Sequence, residues 1–183
     1  MHVPDGFINA SVSAATGVIS FGTLWAYIRS ASSLIADKFI ALTGMMTALI
    51  FVLQMINFPV AAGTSGHLLG GALAVIVLGP RLGLICLSVV VIIQSLLFAD
   101  GGLSALGINV MNMAIVTSVT AWVVVKYWIK FIGKTSSSLI IVSVLSGIVS
   151  VVFSSIAFMV QYILGGTISV SYTHLRAHET EAY

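Results

Sequence analysis

The chain has 183 residues, 59% of them hydrophobic and only 7% charged, with a mean hydropathy of +1.16. A soluble domain is roughly 25% charged, so this chain cannot cover its surface with polar groups. A net charge of +2 carries no nucleic-acid footprint. What remains is a polytopic integral membrane protein. No water in the bilayer core can satisfy a backbone, so the spans must be helices or a closed barrel. The apolar runs are long and unbroken rather than alternating, which selects helices.

The opening segment, "MHVPDG", lacks the basic flank of a signal peptide and holds His2, Pro4 and Asp5 instead. Span one, roughly 7–28, has no A-x-A cleavage pattern before its end, so the N-terminus is expected to be retained. Met1 is expected to stay as well, because the trimming aminopeptidase needs a small second residue.

Span two runs roughly 39–59 and span three roughly 66–79, the latter too short for the ~20 apolar residues of a full crossing. "PRLG" follows and turns the chain straight back into span four, roughly 82–98, so three and four read as a tight hairpin. Spans five and six run roughly 104–125 and 138–164. Arg29 and Lys38, then Arg81, then Lys126, Lys130 and Lys134 fall in alternate connections, which makes that side cytoplasmic and the N-terminus external. Asp37 beside Lys38 reads as a solvated charge. The membrane-region imidazoles, His2 and His67, and the other two carboxylates, Asp5 and Asp100, fall on the outer side.

"SYTHLRAHETEAY" breaks the composition. It holds Arg176, Glu179, Glu181, His174 and His178, and it has no apolar face. It reads as a non-native or disordered tail. The expected domains are a membrane domain over 1–170, with a metal-binding segment at 1–6, and a tail over 171–183. Cys86, the only cysteine, lies in an apolar run and reads as packing.

His2 beside a free terminus makes a chelator. The α-amine, the His2 amide nitrogen and the His2 Nδ1 close a five- and a six-membered ring, three nitrogens near one plane. The amide must lose its proton, and a nitrogen plane favours Ni²⁺ or Cu²⁺, with Co²⁺ accessible. A fourth nitrogen is wanted, and His67 is the other imidazole on that side. Gly63, Gly66, Gly70 and Gly71 surround it, and Gly66-x-x-x-Gly70 would allow close helix packing. Pro4 and Gly6 supply a bend. Taken singly, His2 could be an exposed terminal residue and His67 a hydrogen-bonded interfacial histidine; paired on one face, they point to a metal site.

Around them, Asp5 could orient an imidazole, and Asp100 reads as a cap of the fifth helix or a group behind the ligands, with capping the better reading. Asn109 and Asn112, three apart on one helical face, are either glue between helices or lining of the metal pocket. Gln54 and Asn57 read as glue. Met45, Met46, Met55, Met111 and Met113 read as core packing rather than soft-metal ligands. "GKT" at 133–135 resembles the end of a P-loop, but Trp128 stands where its first glycine is needed. No nucleophile, base and acid set is placed for catalysis, so the chain reads as a non-enzyme.

"MHVPDGF", "NFPVAAGTSGHLLGGALAVIVLGP" and "FADGGLSALGINVMNM" together resemble the CbiM/NikM family, the substrate-capture subunits of cobalt and nickel energy-coupling-factor transporters. The resemblance covers most of residues 1–165. It implies an all-α polytopic membrane helical bundle, with six transmembrane helices visible and a seventh expected to be missing through truncation. It implies a square-planar site of Met1, His2 and His67, and Ni²⁺ or Co²⁺ as transported substrate, with a slight tilt to nickel. It also implies a transmembrane coupling subunit, two cytoplasmic ATPases that hydrolyse the ATP, a small accessory membrane subunit, a prokaryotic inner membrane and a link to cobalamin biosynthesis. Ala10-x-x-x-Ala14 and Gly44-x-x-x-Ala48 are candidate docking faces, or packing within the bundle. A copper transporter and a metal-independent scaffold are the rival readings.

Overall fold

The computed structural model describes residues 2–31, 37–56, 58–61 and 64–167. The expected tail over 171–183, Asn57 and Met1 lie outside the described residues. In chain order the elements are α1 (Ala10–Ala31), α2 (Asp37–Met55), β1 (Phe58–Ala61), β2 (Thr64–Gly66), α3 (Gly71–Leu97), α4 (Leu106–Asn109), a π-helical stretch (Val110–Val116), α5 (Thr117–Ile132) and α6 (Ser136–Gly165).

The first and last helices begin at side-chain caps. Asn9 caps α1, its Oδ1 accepting from the Val12 N–H at 2.9 Å. Its own N–H donates to Gly165 O at 2.7 Å, which ties the start of α1 to the end of α6. Thr135 caps α6 by accepting from the Ser138 N–H.

The bundle is apolar outside, and its interior mixes an apolar core with buried serines and amides. Val18, Leu97, Ile140 and Ile163 are exposed, while Ser146, Ser150, Ser154 and Gln161 are buried. That pattern suits a lipid solvent, where small and polar residues help hold helices together. The serines have a specific task. A π-helical stretch disturbs the regular i→i−4 ladder, and α6 serves carbonyls along it and just after it: Ser154 Oγ donates to Asn112 O at 2.9 Å and Ser150 Oγ to Thr117 O at 3.2 Å. Met46 and Met113 sit in the apolar core with Ile50, Leu87 and Val90, as packing requires, whereas Met45 and Met55 are exposed. Cys86 is buried and free.

Among the described residues, four helical runs are long and apolar enough to cross a membrane: Ala10–Ala31, Gly71–Leu97, Leu106–Ile132 and Ser136–Gly165. Phe39–Met55 is shorter. The expected six crossing helices are not reached, because spans three and four fall within the single element α3 and span two falls short as Phe39–Met55. That element is broken at Gly79, whose φ of 80° and ψ of 171° place it in a region open to glycine, just before Pro80. Past the break the chain doubles back: a Cβ built on Gly83 would lie 2.9 Å from the Ala74 carbonyl carbon, and one on Gly70 3.3 Å from Leu87 Cδ2. The hairpin at "PRLG" is therefore present, with residues 71–78 as its short arm.

The stretch before α3 differs from the helical packing expected of Gly66-x-x-x-Gly70. β1 and β2 form an antiparallel ribbon pairing Phe58 with Gly66. Residues 67–70 then run without regular structure to a left-handed Gly70, φ 81°. Gln54 holds this segment from α2, its Nε2 donating to Leu69 O at 2.8 Å.

Candidate metal centre

The N-terminal segment folds down into the bundle. Val3 and Ile8 are buried in a small apolar cluster with Ala105 and Ile108. The main chain of Val3 is held three times. Asn109 Oδ1 accepts from Val3 N–H at 2.7 Å, Asn109 Nδ2 donates to Val3 O at 3.1 Å, and Gly102 N–H donates to the same carbonyl at 2.9 Å. Asn109 therefore clamps the peptide next to His2. Asn112 turns away and pairs reciprocally with Gln161 at 2.8 and 3.0 Å, as glue between the π-helical stretch and α6.

The two carboxylates exchange the places expected for them. Asp5 Oδ1 accepts from the backbone N–H and the hydroxyl of Ser104, at 2.7 and 2.6 Å. Those bonds hold its carboxyl below the usual range, and they order the turn leading into α4. Asp100 makes no helix cap, since α4 starts at Ala105 without a side-chain cap. It meets the imidazole instead: His2 Nδ1 lies 3.2 Å from Asp100 Oδ1. The "DGG" after "FA" is what lets these strands of chain touch. A Cβ on Gly102 would sit 2.3 Å from Asp5 N and 2.7 Å from Asp5 Cα, so only a bare backbone passes there.

His2 and His67 come together. Their rings stack, 5.1 Å between centroids with 21° between planes. His67 Nδ1 contacts Leu68 O at 3.0 Å. Donation to that carbonyl puts the proton on Nδ1 and the lone pair on Nε2. The other His2 nitrogen, Nε2, lies 3.1 Å from Gln94 Oε1. Gln94, fully buried near the end of α3, was not legible as a site residue, because nothing in "VVVIIQSLLF" marks it beyond being the one amide in an apolar run. Burial pushes His2 down to about 4, against the opposing pull of Asp100. Burial lowers His67 as well. Both imidazoles are thus neutral at neutral pH, the form that binds a metal ion. Among the described residues, no three of His, Cys, Asp and Glu converge as a ligand set.

These features define a class: a helical membrane protein whose N-terminal segment docks into the bundle and brings two imidazoles together beside a carboxylate. Within that class, residues 2–178 match the family described as the cobalt uptake substrate-specific transmembrane region, CbiM. The chain belongs to this family. It is 47% identical over 116 residues to an Archaeoglobus fulgidus protein carrying the provisional description of a fused nickel transport protein, a match covering 63% of this chain and 38% of that one. It is 32% identical over 127 residues to the cobalt transport protein CbiM of Geobacter sulfurreducens, covering 68% and 37%. The crystal structure of a truncated transition metal transporter superposes with a TM-score of 0.77 at 26% identity, covering 88% of this chain and 73% of the other. The chain spans 38–62% of the length of the first curated relatives it matches.

Proposed function

We propose that this chain is the substrate-binding membrane subunit of an ATP-driven, energy-coupling-factor importer, capturing Ni²⁺ or Co²⁺ at the outer face of the membrane. The observation that carries the reading is the convergence of His2 and His67. Rings 5.1 Å apart can each offer a nitrogen to one ion at a bond of about 2 Å. The remaining donors are the Met1 amine and the His2 amide nitrogen, so that amine, amide, His2 Nδ1 and His67 Nε2 make a square plane. Asn109 and Gly102 hold the following peptide and so brace the chelate. Asp100, 3.2 Å from His2 Nδ1, gives up that contact to the ion and leaves its negative charge beside the incoming cation.

The names of the relatives supply the ions, nickel and cobalt. The energy comes from partners: a transmembrane coupling subunit, two cytoplasmic ATPases and a small accessory membrane subunit. This chain is not itself an enzyme. The alternating basic residues put Arg81 and Lys130 in the cytoplasm and the N-terminal segment outside, in a prokaryotic inner membrane.

The decisive experiment is elemental analysis of the full chain purified with its authentic N-terminus after growth in mixed Ni²⁺, Co²⁺ and Cu²⁺. One equivalent of nickel or cobalt supports the reading. Copper at one equivalent favours a copper transporter, since the same donors hold Cu²⁺ more tightly. No metal at all leaves a scaffold.

A further inference from the structure

His2 meets an acceptor oxygen at each ring nitrogen, and that arrangement asks for an explanation. Nδ1 faces the carboxylate Oδ1 of Asp100 at 3.2 Å, and Nε2 faces Oε1 of Gln94 at 3.1 Å. A neutral imidazole carries one N–H, so it can satisfy one of them. The other end of the Gln94 side chain is equally informative. Its Nε2 is buried without a hydrogen-bond partner among the described residues, although a buried amide N–H is costly to leave unmade. Nor is the rest of the residue loose. Gln94 O accepts from the N–H groups of Phe98 and Asp100, both at 3.1 Å, so the backbone that carries this amide also fixes the position of Asp100.

We propose that Gln94 is the positioning residue that sets the His2 tautomer, presenting Oε1 to an Nε2–H when the ion is bound and turning its amide to present N–H when it is not. The inference rests on the square-planar site described above, which needs the His2 Nδ1 lone pair. With the ion absent, the proton resides on Nδ1 and is donated to Asp100. Nε2 then holds a lone pair, and the amide of Gln94, turned by half a rotation about its last torsion, donates to it through the N–H that otherwise lacks a partner. With the ion present, Nδ1 is occupied by metal. One proton leaves Nδ1 and one is taken up at Nε2, so the ring stays neutral. Gln94 Oε1 accepts that new N–H. A glutamine is suited to this task because one planar group carries a donor and an acceptor at the same radius. Glutamate can serve only the loaded state, and methionine, of similar volume, neither.

The test compares wild type, Gln94→Glu and Gln94→Met as full chains with the authentic N-terminus. Ni²⁺ affinity is measured by competition with a chelator, and ¹⁵N spectra of histidine-labelled protein are taken with and without Ni²⁺; a square-planar complex is diamagnetic and leaves the ring nitrogens visible. In wild type the His2 proton is expected on Nδ1 without metal and on Nε2 with it. Gln94→Met should lose roughly 10–100-fold in affinity, the usual scale for removing the partner of a ligating histidine. Gln94→Glu should stay within a few-fold of wild type. Three results would each overturn the proposal: Gln94→Met binding as wild type does, both variants losing equally at unchanged melting temperature, or loaded wild type without a proton on His2 Nε2. If wild type binds no Ni²⁺ at all, the capture site itself is wrong, and the two failures are told apart.

Discussion

Asn109 grips both polar groups of Val3, accepting from its N–H at 2.7 Å and donating to its carbonyl at 3.1 Å across 106 residues of chain. A side-chain amide thus reads one residue of main chain the way a neighbouring strand would. Truncation leaves the buried Val3 N–H unpaired, while the carbonyl keeps its bond from Gly102, at a cost of about 1–3 kcal/mol. We expect Asn109→Ala to weaken Ni²⁺ binding roughly 5- to 150-fold while helical content stays unchanged. Competition titration and far-ultraviolet circular dichroism measure the two halves of that statement.

An added residue before Met1 should abolish binding with every side chain in place. The new peptide bond turns the amine into an amide and removes the first chelate ring. A protein carrying an uncleaved N-terminal tag should bind no stoichiometric Ni²⁺ and lack the yellow-orange colour of a square-planar nitrogen field. His67→Ala should also lose most affinity, because it opens the plane. Retention of the coloured complex in the tagged protein would return His2 to an ordinary terminal residue.

Gly102→Ala tests the close approach of the loop to the N-terminal segment. Its Cβ would meet Asp5 backbone atoms at 2.3 and 2.7 Å, and main chain cannot swing aside as a side chain can. The segment should be displaced, with loss of metal binding and faster amide exchange at residues 2–8 by mass spectrometry. Exchange in α3 and α6 should not change.

The docked segment should also loosen in acid when no metal is present. The His2 imidazole is held at about 4 by burial, below the ~6.5 of an undocked histidine. Between those values the undocked form binds a proton that the docked form refuses. Docking is therefore full above about 6.5, weakens as the pH falls, and levels off near 4. Amide exchange of residues 2–8 at pH 7.5, 5.5 and 4 should show protection falling in that order.

The proposed orientation rests on the positions of the basic residues. Lys130→Cys should resist a membrane-impermeant maleimide in intact cells and react after lysis. Labelling from outside would invert the bundle and put the imidazole pair on the cytoplasmic face.

Composition alone was enough to place the chain in a membrane, because a chain with 7% charge has no other solvent. That His2 and His67 form a pair was legible for a local reason: consecutive atoms at a free terminus can make a chelator, and imidazoles are scarce in the apolar region. The break at "GPRLG" was legible too, since proline and glycine act on the backbone where they stand. The rest needed the tertiary structure. Which carboxylate serves the imidazole could not be read, because Asp5 and Asp100 are chemically alike and only folding sets one against Ser104 and the other against His2. Asn109 and Asn112 share a helical stretch, but one meets Val3 and the other Gln161. Gln94 gave no local signal, because its role depends on a residue 92 positions away. Local sequence determines backbone breaks, burial preference and terminal chemistry. Hydrogen-bond partners across the bundle are decided by how helices rotate and descend past one another, and that exists only in the packed state.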